Sequence, residues 1–73
     1  MVVNKMHKQA LSINEAAEYS GIGRNTLRTL VRWQKLSSLH IGNKIIIRTE
    51  TLDKFLIANE GNNLKNKFEI IAV

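Results

Sequence analysis

The chain has 73 residues, with eleven Lys or Arg against six Asp or Glu and a formal net charge of +5. This length predicts one small domain with a modest core. The absence of cysteine excludes disulfides and is typical of a reducing compartment, and no apolar run is long enough to span a bilayer. Because the first twelve residues also lack the apolar core of a secretory signal, we expect a cytoplasmic, nucleoid-associated protein with no membrane contact. The positive charge predicts an acidic partner, most often nucleic acid.

The first predicted helix begins after Ser12. Glu15 follows three residues later, which is the spacing of a capping box, where each side chain bonds the other residue's backbone N–H. Gly21 is expected to end this helix, because glycine accepts the left-handed conformation found just past helix C-termini. Glu15 and Glu18 also have the spacing of a carboxylate pair, but a cap and a solvated glutamate are the favoured interpretation.

A second helix is expected from residue 23 or 24 to about residue 35. At about 100° per residue, Leu27, Leu30 and Val31 share one face, which predicts a side that packs on a core. Trp33 lies at the edge of this apolar face and is expected to pack as well. Another face is basic at spacings of four, four and three and is bordered by two polar residues: Arg24, Arg28, Arg32 and Lys35, with Asn25 and Thr29.

The two glycines before this helix admit two interpretations. The sequence GIG, residues 21–23, starts like a dinucleotide-binding fingerprint, but the third glycine of that fingerprint is replaced by Thr26. The fingerprint also needs a preceding strand and a βαβ unit, whereas a capped helix precedes these glycines in a short chain. The glycines are therefore predicted to form the turn of a helix-turn-helix.

A β-hairpin is expected next. Strands near Leu39–Ile41 and Lys44–Arg48 flank a Gly-Asn pair, and these two residue types accept the positive φ of a tight hairpin turn. Alternation divides the second strand into two faces, with Ile46 left on the basic one. The faces are Lys44, Ile46 and Arg48 on one side, and Ile45 and Ile47 on the other.

A third helix is expected between a threonine cap, Thr49 or Thr51, and a stop at Gly61. Its predicted core face has the i, i+3, i+4 spacing of Leu52, Phe55 and Leu56.

The chain ends in FEIIAV, a short β-prone stretch after a polar loop. Alternation would put Phe68 and Ile70 on one face and Glu69 and Ile71 on the other, as in an added strand. Two interpretations stay open. The tail docks on the domain's own small core, or it contacts another copy or a partner protein.

No group of residues predicts catalysis. His7 and His40 are far apart in sequence, and without cysteine they make a poor zinc site. Neither histidine belongs to a recognised nucleophile motif. We expect no enzyme activity, no cofactor and no bound metal.

The segment LSINEAAEYSGIGRNTLRTLVRWQKLSSLHIGNKIIIRTETLDKFL resembles the excisionases, or recombination directionality factors, of conjugative transposons and phages. The shared pattern is an opening Leu-Ser with Glu-Ala-Ala, a Gly-hydrophobic pair before a polar-basic helix, a short basic hairpin, and a last helix entered through Leu and Phe. The resemblance covers roughly residues 11–57. Gly23 is a departure, since the family often has Ser or another capping residue there.

The resemblance implies an α+β fold, a small winged helix-turn-helix of MerR-like type with three helices and a two-stranded hairpin wing. Residues 11–59 would form this DNA-binding domain, after a flexible basic lead-in at residues 1–10 and before the polar loop and apolar tail at residues 60–73. The second helix would enter the major groove, and the wing tip would reach an adjacent minor groove or phosphate.

Carried onto this sequence, the resemblance assigns two sets of DNA contacts. The helix set is Arg24, Asn25, Arg28, Thr29 and Arg32. The wing set is His40, Asn43, Lys44 and Arg48. The implied function is a sequence-specific, double-stranded DNA-binding accessory factor that bends DNA and directs integrase-mediated excision of a mobile element, with an integrase and further copies of the chain as candidate partners.

Two other functions stay open. A small bacterial or phage transcriptional regulator uses the same scaffold, and a protein-interaction module would use the apolar tail. Residues 24–48 contain six basic residues and no acidic one, which disfavours the interaction module.

Overall fold

The computed structural model describes residues 8–73, so most of the expected lead-in, including His7, lies outside the described residues. The fold is α+β, a small winged helix-turn-helix, as the sequence predicts. None of the helices within residues 8–73 is long and apolar enough to cross a membrane. The elements in chain order are β1 (Ala10–Ser12), α1 (Ile13–Ser20), α2 (Arg24–Arg32), β2 (Leu39–Ile41), β3 (Lys44–Arg48) and α3 (Thr49–Ala58).

The sheet has three antiparallel strands in the order β1-β3-β2, not the two strands of the predicted hairpin alone. Leu11 of β1 pairs with Ile47 of β3, and both side chains are buried. The sequence does not predict β1 and assigns Ala10 to the lead-in, because a strand of three residues is too short to show an alternating pattern. Ile46 lies with Lys44 and Arg48 on the outer face of β3, the face opposite Ile45 and Ile47. It is half-buried between its partners Ser12 and Leu39 in the flanking strands.

The core lies between the sheet and the three helices. Val31, Trp33 and Ile45 are half-buried and pack against it, which confirms the packing role predicted for Trp33. On α3, Leu52 and Phe55 are fully buried and Leu56 is half-buried. The buried apolar residues are Leu11, Ile13, Ala16, Leu27, Leu30, Leu36, Ile47, Leu52, Phe55 and Ile70.

The capping box of α1 and the turn after it are confirmed. The Glu15 N–H donates to Ser12 Oγ at 3.2 Å, and the Ser12 N–H donates to Glu15 Oε1 at 2.9 Å. Gly21 ends the helix at φ 81°, and its N–H donates to the Ala17 carbonyl at 2.8 Å. Gly23 is the N-cap of α2 and supplies no side-chain cap. This turn therefore joins two helices and is not a phosphate-binding loop.

Helix α2 ends at Arg32, three residues before the expected end at about residue 35. Gln34 adopts a left-handed conformation with φ 62°. The Lys35 N–H donates to the Leu30 carbonyl, and the Gln34 N–H donates to the Val31 carbonyl, both at 2.9 Å. This pair of bonds is a Schellman motif, in which glycine usually occupies the left-handed position. Because glutamine occupies the left-handed position, the sequence carries no stop signal there, and Lys35 lies outside the helix.

The predicted threonine cap of α3 is wrong. Arg48 is the N-cap and makes no side-chain cap bond. Thr49 is buried and is used differently, because its hydroxyl donates to the Lys8 carbonyl and its N–H donates to the Gln9 carbonyl. The helix ends at Ala58, ahead of Gly61, which lies in the following turn at φ 86°. Thr49 therefore anchors the chain that enters β1.

The tail docks on the domain's own core without adding a strand. Ile70 is 4% exposed and Phe68 is 95% exposed, so the predicted sharing of one face by these two residues is wrong. The reason is that residues 64–69 form turns and not an extended strand. The backbone of Val73 closes the tail, accepting from the Ser37 N–H at 2.8 Å and donating to the Lys35 carbonyl at 2.9 Å.

Candidate nucleic-acid interface

Helix α2 has a buried side and a basic side. Leu27 and Leu30 are fully buried. Four of the five residues assigned to the helix set are exposed and the fifth, Thr29, is half-buried. The exposed four are Arg24, Asn25, Arg28 and Arg32. The helix therefore presents three guanidinium groups to solvent from a support fixed by core packing.

Two of these arginines are held by neighbouring side chains. Arg24 Nη1 donates to Asn14 Oδ1 of α1 at 3.3 Å. Arg32 Nη2 donates to Thr29 Oγ1 at 3.4 Å, and the Thr29 hydroxyl donates to the Asn25 carbonyl at 3.0 Å. No hydrogen bond or ion pair within residues 8–73 engages Arg28 in this way. Its five donors are therefore available to an external acceptor.

A groove between α1, α2 and the hairpin brings the helix set and the wing set together. Arg28 from α2 and Asn43 and Lys44 from the wing tip border the same groove, and Asn14 of α1 borders it as well. The residues lining it are Ser12, Ile13, Asn14, Arg28, Asn43, Lys44 and Ile45.

The other two residues of the wing set lie outside this groove. His40 pairs with Ile45 and so shares the helix-facing side of the sheet, where its Nε2 lies 3.5 Å from Ser38 Oγ. Arg48 shares the outer face with Lys44 but is at the opposite end of β3 from the wing tip. Its Nη2 lies 3.1 Å from Glu50 Oε1. DNA contacts by His40 and Arg48 stay predictions.

Two acidic side chains, Glu15 and Asp53, are bonded to partners outside α2, whereas the exposed Glu18 borders a groove with Arg24 and makes no hydrogen bond or ion pair in the described chain. The Lys8 ammonium donates to the Glu15 carboxylate and, with the Ser12 N–H, lowers the pKa of Glu15. The Tyr19 hydroxyl donates to Asp53 Oδ1 at 2.7 Å, and this bond raises the pKa of Tyr19. No ion pair within the described chain joins an acid to an arginine of α2. The basic side of the helix therefore keeps its positive charge for a partner.

The sequence pattern gives no reason to include Asn14, Lys65 or Lys67 in the interface, yet all three lie beside α2. Asn14 is an exposed residue in the first turn of α1, and nothing in the sequence relates it to Arg24. The two lysines belong to a loop whose position depends on how the tail docks. A second groove, on the other flank of α2, is lined by Asn25, Thr26, Thr29, Trp33, Leu64 and Lys65.

Two short helices joined by a three-residue glycine turn, with a hairpin beside the second helix, define the arrangement of a winged helix-turn-helix. The helix-turn-helix domain family matches residues 10–60, which include every regular element of the described fold. The chain belongs to this family. No curated protein and no solved structure gives a significant match. Membership of the helix-turn-helix family supports double-stranded DNA as the partner, because these domains place their second helix in the major groove.

Proposed function

We propose that this helix-turn-helix domain binds double-stranded DNA in a sequence-specific manner, with α2 in the major groove and the wing beside the adjacent backbone. The observation that carries the proposal is the groove where Arg28 of α2 meets Asn43 and Lys44 of the wing tip. The major groove of B-DNA admits one α-helix, so a helix seated there would put a neighbouring hairpin against the flanking strand.

The proposed roles differ among the basic residues. Arg28 reads base edges, because its guanidinium is exposed and is free to form two parallel bonds to guanine O6 and N7. Arg24 and Arg32, each held by a polar neighbour, are oriented toward phosphates on either side. Lys44 contacts a phosphate from the wing as a point charge.

We further propose that the domain acts as an excisionase-like architectural factor without catalytic activity. The resemblance over residues 11–57 supports this role. Such a factor binds side by side with other copies near a recombination site, bends the DNA and helps an integrase assemble. The proposed partners are therefore duplex DNA, further copies of the chain and an integrase.

DNA binding is tested by selecting duplexes from a randomised library and then titrating the enriched duplex at several salt concentrations. Arg24, Arg32 and Lys44, the three proposed phosphate contacts, should each displace counterions, which gives log K against log salt a slope of roughly −2.7 from these three cations. Enrichment of a short motif together with a steep slope is the expected result. No enriched sequence and a slope near zero would overturn the proposal in favour of a protein partner.

The architectural role is tested on the enriched duplex carrying one or two copies of the motif. Energy transfer between dyes at the duplex ends should increase on binding, because a bent duplex brings its ends together. Two adjacent motifs should fill cooperatively. Independent binding to an unbent duplex would contradict the excisionase-like role and favour a transcriptional regulator on the same scaffold.

A further inference from the structure

We infer that the loop at residues 62–69 is a second flank of the DNA-contacting surface and supplies Lys65 and Lys67 to a phosphate on the side of α2 opposite the wing. This inference rests on the proposed binding of α2 to duplex DNA. It extends the interface beyond the wing and the helix, to a segment that follows the last helix of the fold.

The loop is held in place at both ends. At its start, Asn62 Nδ2 donates to Asn59 Oδ1 at 3.2 Å. Beyond its end, Ile70 is buried in the core and the backbone of Val73 is bonded to residues 35 and 37. Inside the loop, the Glu69 carboxylate accepts from the Asn63 N–H at 2.8 Å and from Asn66 Nδ2 at 3.2 Å. These bonds fix where the loop lies relative to α2.

The loop lies along the flank of α2 that does not face the wing. Leu64 and Lys65 border a groove with Thr29 and Trp33, and Lys67 Nζ lies 6.0 Å from the centre of the Trp33 ring. At about 100° per residue, Thr29 and Trp33 are about 100° and about 140° further round the helix than Arg28, which borders the wing groove. The exposed arc of α2 is therefore bordered by the wing on one side and by the loop on the other.

The two lysines keep their charge available. Both are exposed, and no ion pair within residues 8–73 joins either of them to an acid. The acid closest to them in sequence, Glu69, is engaged by Asn63 and Asn66 as described above. A lysine beside a helix seated in the major groove is suited to contact the phosphates that border the groove.

The test compares Lys65→Gln and Lys67→Gln with the matched control Lys54→Gln. Lys54 is an exposed lysine on α3 that is paired with Glu50 at 3.5 Å, away from both grooves. Each loop substitution should make the slope of log K against log salt less negative by about 0.9, and weaken binding about fivefold at about 0.15 M salt. The control should keep the parent's slope and affinity.

Two further variants separate charge from structure. Lys67→Arg keeps the charge and the position over Trp33, and should bind with the parent's slope. Lys65 makes no side-chain bond in the described chain, so Lys65→Gln should keep the parent's melting temperature while its slope changes. If both glutamine variants keep the parent's slope while Arg28→Ala loses affinity, the loop does not contact DNA and α2 still does. If the parent itself shows a slope near zero, the inference and the proposed function both fail.

Discussion

The side chain of Asn59 bonds both backbone groups of Ile71. Asn59 Nδ2 donates to the Ile71 carbonyl at 3.0 Å, and the Ile71 N–H donates to Asn59 Oδ1 at 2.8 Å. The same Nδ2 also donates to the Phe55 carbonyl at 3.0 Å near the end of α3. A buried amide thus substitutes for a strand partner and joins the tail to the last helix.

Replacing Asn59 with alanine should lower the free energy of unfolding by about 1–3 kcal/mol, because it removes the side-chain partner of both part-buried backbone groups of Ile71 and one of the two hydrogen bonds to the Phe55 carbonyl. Chemical denaturation followed by circular dichroism measures the change. Asn43→Ala is the matched control, since Asn43 is exposed and makes no side-chain hydrogen bond in the described chain. Equal stability of the two variants would show that the amide does not hold the tail.

Adjacent isoleucines in the tail should differ in their effect on stability. Ile70 is 4% exposed and Ile71 is 53% exposed. Ile70→Val should therefore cost about 0.5–1.5 kcal/mol of unfolding free energy, and Ile71→Val less than about 0.5 kcal/mol. Removing residues 64–73 should destabilise the isolated domain by more than either substitution. A truncated chain with the parent's melting temperature would contradict docking of the tail on the core.

The parts of the fold that the sequence predicts are those where local chemistry and tertiary packing agree. Ser12 with Glu15 caps α1, Gly21 ends it, and the Gly-Asn pair turns the hairpin. The errors arise where tertiary contacts decide. Thr49 bonds the chain before β1 instead of capping α3, and Gln34 ends α2 in a conformation that glycine usually adopts.

The candidate interface follows the same division. The basic face of α2 is visible in the sequence because helical periodicity is local. The grooves on its two flanks depend on where the wing and the tail come to rest. The sequence therefore gives Arg28 and Lys44 as candidates but not their proximity, and it gives no reason to join Lys65 to the same surface.

Two glycines in the helix-turn-helix turn should respond in opposite ways to substitution. Gly23 has φ −61° and ψ 152°, and an added Cβ meets nothing within 4 Å. Gly23→Ser should therefore stabilise the protein by a few tenths to about 1 kcal/mol, because serine caps α2 and restricts the unfolded chain. Gly21→Ala should destabilise it by about 1 kcal/mol, because Gly21 has φ 81°. Differential scanning calorimetry of both variants checks the sign, and a lower melting temperature for Gly23→Ser would contradict the capping argument.

Arg28→Ala should weaken binding to the selected duplex by about 1–3 kcal/mol and relax specificity at one base position. The physical reason is the loss of two bonds to a base edge from an exposed guanidinium with no partner in the described chain. Competition titrations against duplexes with single base changes measure the effect, with Lys54→Ala as the charge-matched control. Unchanged affinity for both target and random duplexes would remove Arg28 from the interface, and an equal loss on all sequences would make it a phosphate contact.

Lys44→Ala should lower affinity nearly uniformly across sequences and make the salt slope less negative by about 0.9, because a lysine at the wing tip contacts phosphate and not base edges. Arg48→Ala is the matched comparison. It removes one charge from the same outer face of β3, but from the end that is bonded to Glu50. Its slope should stay closer to the parent's.

An equal change in both variants would mean that the whole strand follows the DNA backbone. A lower melting temperature with unchanged affinity for Lys44→Ala would make this lysine structural, and the wing groove would lose its proposed contact with DNA.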